Sequence, residues 1–270
     1  FAVLPIVLTI FRFLPDRGYL LSRPLGLLLL AYIPWLLASF KWAPFSRGSI
    51  FLGLLLLAIS SFLLCVRYKD DLWDFVKQRW RLLLTGEILF LAAFLVFTLI
   101  RMANPDLWHP WHGGEKPLDF AYLNAVVRSS YMPPFDPWFS GGTINYYYFG
   151  HFIVATLIKA TGVPPAIAFN LAVPLFFAMT VGAAFSIGYN LAERARTMLV
   201  VQNKASIPAW SPLVAAVASV LFLAILGNLD GAVQLVRGAW IHVVEDGAFP
   251  AFDYWRSRSM MPPDPPGFEI

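Results

Sequence analysis

Charge is what this chain most lacks. Asp, Glu, Lys and Arg make up 13% of its 270 residues, about half the roughly 25% usual in soluble domains. Hydrophobic residues reach 59%, against about 45–50% in such domains. A water-soluble fold of this length cannot hide so much apolar surface, so a bilayer is the solvent for most of the chain. Cysteine is nearly absent too: Cys65, alone in an apolar run, excludes an intramolecular disulfide and any multi-cysteine metal site. No glycine-rich phosphate loop, serine nucleophile elbow or HExxH pattern occurs, which takes weight from soluble-type hydrolases and nucleotide-driven transporters. No internal repeat of fixed period is visible. The net charge of +4 reflects loop topology more readily than nucleic-acid binding.

What the chain does have is a series of apolar runs, and a spanning helix needs about 17–25 such residues. Residues 1–13 are too short and read as the tail of a span. Residues 20–40 form a second, interrupted by Pro24 and Pro34, and residues 50–66 a third. The stretch 67–81 (RYKDDLWDFVKQRWR) fits an interfacial amphipathic helix through Tyr68, Leu72, Trp73, Phe75, Val76 and Trp80. Its basic residues place it in the cytoplasm. The span at 82–100 then delivers a long polar loop, 102–148, to the outer face of the plasma membrane. Within that loop, 118–131 has helical spacing and reads as a juxtamembrane helix. Residues 149–162, interrupted by His151 and Lys159, read as re-entrant, and 166–192 and 212–226 cross. The re-entrant reading keeps Arg194, Arg196 and Lys204 inside and gathers the polar stretch 228–270 beside the loop. The expected architecture is all-α and polytopic, with about six or seven membrane segments, external polar loops and a juxtamembrane amphipathic helix. It divides into N-terminal spans (1–66), a cytoplasmic linker (67–81) and a membrane domain (82–270). Because the chain starts inside an apolar run and stops after a proline-rich stretch, it reads as a portion of a longer protein.

The loop 102–148 holds most of the chemistry. Glu115 and Asp119 are four apart and share one face of a helix. Such a pair suits acid/base work or a divalent cation, and equally a solvated helix start behind Pro117. His109 and His112 lack a third clustered ligand, so no metal site is assigned. Lys116, Arg128, Arg256 and Arg258 suit a phosphate, as guanidinium gives bidentate contacts, or lipid headgroups. Trp108, Trp111 and Trp138 suit a sugar ring or an interfacial belt. Glu87, one turn into its span, suits snorkelling or a transport path.

The run Gly114-Glu115-Lys116-Pro117-Leu118-Asp119-Phe120-Ala121, then 124–129 (NAVVRS), 133–138 (PPFDPW) and 141–150 (GGTINYYYFG), resembles the YYY-type membrane proteins. These are very hydrophobic prokaryotic proteins named for their triple tyrosine. The likeness continues through Phe169-Asn170-Leu171, 227–231 (GNLDG) and 255–259 (WRSRS), and covers about 82–270. That family looks like a distant relative of the C-type glycosyltransferases, which include the protein mannosyltransferases. The resemblance implies transfer of a sugar from a polyprenyl-phosphate donor, with an acidic residue of the first large external loop as base. Asp119 matches that position, with Glu115 beside it. The relatives carry an adjacent Asp-Glu pair, whereas here Lys-Pro-Leu separates the two acids. The implied substrate-binding set is Lys116, Arg128, Asp136, Trp138, Tyr146, Tyr147, Tyr148, Asp230, Arg256 and Arg258. The implied associates are the bilayer, a lipid-linked sugar and membrane-protein partners, with a divalent cation as the one optional cofactor and no nucleic acid. Two other readings remain open: a non-catalytic membrane subunit or assembly protein, and a transporter lined by Glu87, His151 and Lys159.

Overall fold

A computed structural model describes residues 2–103, 105–107, 115–201, 211–224, 229–248 and 250. Among the described residues the helices are α1 (Leu4–Ile10), α2 (Ser22–Ser39), α3 (Arg47–Arg67), α4 (Lys69–Ala103), α5 (Lys116–Arg128), α6 (Phe149–Thr161), α7 (Pro165–Val201), α8 (Pro212–Ala224) and α9 (Leu229–Val244). Their only β pairing is an isolated bridge between Phe135 and Thr143. Four helices, α2, α3, α4 and α7, are long and apolar enough to cross a membrane. The other segments counted from the sequence are short: α1, α6 and α8. The 13 residues of α6 rise about 20 Å, against a hydrocarbon core of about 30 Å, so α6 does not cross by itself.

The chain divides into two compact units, 1–186 and 187–270. In the first, α2 and α3 form an antiparallel hairpin through residues 40–46. Its return is set by a capping box, in which Ser46 and Ser49 each bond the other's backbone N–H. Small residues bring the helices close: a Cβ on Gly53 would lie 3.4 Å from Ile33, and one on Gly86 2.9 Å from Leu20. After α3 the chain reverses at Tyr68. The amphipathic stretch 69–81 is not a separate surface helix but the first turns of the 35-residue α4. No proline interrupts Lys69–Ala103, so the helix runs on for about 52 Å.

Helix α7 runs back alongside. Near its start Asn170 donates to the Pro105 carbonyl at 3.1 Å, the Phe97 and Phe177 rings meet at a tilt with centres 4.6 Å apart, and further on Ser186 donates to Asp16. The four long helices therefore alternate between two ends. One, the hub end, holds the turn at 11–21 and the start of α4. The other, the loop end, holds residues 40–46, α5 and the start of α7. The largest apolar core lies at the loop end, where Ala38, Phe45, Leu123, Val126, Phe152 and Ala155 pack together.

In the second unit, a Cβ on Gly188 would lie 2.2 Å from the Ser219 hydroxyl oxygen. Only glycine fits where that end of α7 meets α8. Glu193 and Arg196 pair at 2.9 Å one turn apart.

Candidate functional site

At the loop end, α5 and α6 pack through Leu123, Val126, Phe152 and Ala155, which are all nearly or fully buried. Helix α5 begins with Pro117 in its first turn and Asp119 close behind, where the backbone dipole favours a carboxylate. It ends at Ser129, whose hydroxyl donates to the Ala125 carbonyl. Helix α6 ends at Gly162 in the left-handed region, φ 79°.

This packing brings the first turns of the two helices together. Asp119 Oδ1 lies 3.5 Å from His151 Nε2, inside ion-pair range but longer than a good hydrogen bond. The carboxylate is 44% exposed and the imidazole 20%. His151 Nδ1 is buried, with no hydrogen-bond partner among the described residues. The Tyr122 ring meets the imidazole edge to face at 6.1 Å. Beyond it Tyr146 and Tyr147 stand 4.9 Å apart, exposed at 60% and 82%. The result is an open carboxylate beside an imidazole, with Tyr122 against the imidazole and Tyr146 and Tyr147 following beyond it. Such a surface can take a proton and stack a sugar ring.

The remaining candidates fall in different places. Glu115 is the exposed N-cap residue of α5 and Lys116 its first residue, so both stand beside Asp119. Arg128 is at the opposite end of α5, about 14 Å along the axis from Asp119. Asp136 Oδ1 accepts from the backbone N–H groups of Trp138 and Phe139 at 2.8 and 3.2 Å, which makes it a turn former. Trp138 is 62% exposed at that turn. Tyr148 faces inward, its hydroxyl accepting from Trp35 Nε1 at 3.1 Å. Asp230 sits in the first turn of α9, in the second unit. Arg256 and Arg258, with His109, His112, Trp108 and Trp111, lie outside the described residues. No group of three or more His, Cys, Asp or Glu side chains able to hold a metal ion occurs among the described residues.

His151, which the sequence offered only for a transport path, is the residue the structure adds to the Asp119 site. Its signal is its position, the third residue of the helix that opens directly after the triple tyrosine.

Two further polar groups are tied up elsewhere. Lys159 Nζ donates to the Phe45 carbonyl at 2.5 Å, reaches the Ser129 carbonyl at 3.5 Å and sits 4.0 Å from the Phe45 ring centre. At the hub end, Arg23 pairs with Glu87 and lies 4.2 Å over the Phe90 ring. Both line a small cleft with Leu4, Tyr19 and Ser22. Glu87 and Lys159 thus lie toward opposite ends of α2, an 18-residue helix about 27 Å long.

Four crossing-length apolar helices, with large apolar side chains facing outward along α3 and α4, define a helical integral membrane protein. The chain belongs to the family described as uncharacterized membrane protein (DUF2298), which matches residues 29–263. No curated protein and no solved structure matches it.

Proposed function

We propose that this protein is a membrane glycosyltransferase that moves a sugar from a polyprenyl-phosphate donor to an acceptor hydroxyl at the outer face of the plasma membrane. The observation that carries the reading is the open Asp119 carboxylate, set in the first turn of α5 against His151, with Tyr122 on the imidazole and Tyr146 and Tyr147 beyond it. The loop end then faces outward, because the basic segment 67–81 belongs to the opposite end. About six or seven segments lie in the bilayer, α1, α6 and α8 being short companions to the four long helices.

In the reaction, the exposed oxygen of Asp119 takes the proton of the acceptor hydroxyl. The acceptor oxygen bonds to the anomeric carbon as the bond from that carbon to the phosphate oxygen breaks, and polyprenyl phosphate leaves with the electron pair. A phosphate is already a good leaving group, so a base and a positive clamp suffice. Lys116 stands one turn before Asp119 and supplies that charge. Tyr146 and Tyr147 bind the sugar face.

The test uses the full chain in lipid with labelled polyprenyl-phosphate hexoses. Release of polyprenyl phosphate, lost in Asp119→Asn, supports the reading; no release from folded wild-type protein with any hexose donor overturns it. A second reading, a non-catalytic membrane subunit, draws on the exposed aromatics of the same end, Trp42 at 72% and Phe139 at 69%. It would be the one to pursue after a negative result.

A further inference from the structure

We infer that His151 is the positioning residue for Asp119, holding one carboxylate oxygen through its Nε2–H while the other oxygen stays open to the acceptor. This rests on the transferase reading for its consequence, but not for its geometry.

The two side chains could in principle divide the work either way, with His151 as base and Asp119 orienting it, or the reverse. Burial decides between them. His151 offers two ring nitrogens: Nε2 is turned to Asp119 at 3.5 Å, and Nδ1 is buried with no partner among the described residues. Nδ1 is therefore closed to an acceptor hydroxyl, and the imidazole as a whole is 20% exposed. The Asp119 carboxylate is the more open group, 44% exposed. The proton therefore goes to Asp119, and His151 keeps its own throughout.

The same burial sets the tautomer of the neutral ring. A buried N–H without an acceptor costs more than a bare ring nitrogen that donates nothing, so the proton sits on Nε2, where a carboxylate can receive it. Tyr122 fixes the ring plane at an interplanar angle of 87°. Phe152 and Ala155, both fully buried, hold the α6 backbone against α5. A separation of 3.5 Å is loose for a formed hydrogen bond. Contacts of this kind tighten when substrate arrives and water leaves.

The experiment has two arms in lipid-reconstituted full-length protein. In the first, [15N]histidine spectra are recorded, with the His151 signals identified by their loss in His151→Phe. The expected result is an Nε2-protonated neutral ring in the wild type that becomes a tautomer mixture in Asp119→Leu. An Nδ1-protonated ring, or a ring indifferent to Asp119→Leu, overturns the inference. In the second arm, transfer is measured. His151→Phe keeps a flat ring beside Tyr122 but loses the donor, and lowers kcat about 100-fold with KM little changed, the scale expected of a misplaced catalytic group. His151→Gln restores an N–H near the Nε2 position and recovers most of the rate. Full turnover in His151→Phe overturns the inference while leaving the transferase reading intact. Should wild-type protein show no transfer, the spectra still decide the pairing.

Discussion

At the hub end, Asp16 accepts from the Gly18 backbone and the Ser186 hydroxyl. Arg17 forks onto Asp71 at 2.6 and 2.8 Å, and Arg23 closes on Glu87. At the loop end, Asp119 has one loose imidazole neighbour and an open face, and Tyr146 and Tyr147 stand in the open. The hub joins segments far apart in sequence through paired charges, and Asp16 within it is 3% exposed. The loop-end cluster is held by the apolar packing of α5 on α6, and its polar groups add little to that. Paired, partly buried polar groups stabilise a fold. Groups that packing holds in place but leaves underused are available for chemistry.

The largest expected effect comes from breaking the hub. Arg23→Leu strands Glu87 in a cleft flanked by apolar helices and should cost about 2–3 kcal/mol, read as a lower unfolding midpoint in detergent. Adding Glu87→Leu should recover most of that loss, since the pair can be exchanged for apolar packing.

Lys159 ties the loop end together by hydrogen bonds. Lys159→Met leaves the Phe45 and Ser129 carbonyls without its amine and should cost about 1–2 kcal/mol, read as a lower thermal midpoint.

The triple tyrosine sharpens the comparison within a single motif. Tyr148→Phe loses the Trp35 bond and should cost about 1 kcal/mol. Tyr147→Phe, at 82% exposure, should stay within about 0.5 kcal/mol of wild type. Equal losses at both positions would erase the inward and outward division of the motif.

Much of this fold could be read from the sequence, because low charge and long apolar runs leave few options. Segments 20–40, 50–66, 82–100 and 166–192 correspond to parts of α2, α3, α4 and α7. Amphipathic patterning at 67–81 suggested a separate surface helix. But patterning reports which face is wet, not where a helix ends, and with no proline present the stretch joined α4. Asp119 was found from its position behind Pro117 and its family-like setting. His151 could be picked out for a transport path but not as the partner of Asp119, because 32 positions separate the two residues (151 − 119), and only the packing of α5 on α6 closes that gap. Glu87 could be picked out as a carboxylate in a span. Its partner Arg23 could not, since the two meet only through the approach of Leu20 and its turn to Gly86. The turn that holds Asp16, Arg17 and Gly18 anchors the hub. Arg17 there, at φ 50°, adopts a backbone conformation with no clear sequence signature.

The most direct test of the contrast is Asp119→Asn in lipid, with its unfolding midpoint and its release of polyprenyl phosphate measured on the same preparation. A midpoint matching wild type together with lost release is the predicted result, that of a site held in place by its surroundings and used for chemistry. A midpoint lowered as far as in Arg23→Leu, or release that persists, would contradict it and make Asp119 one more structural charge.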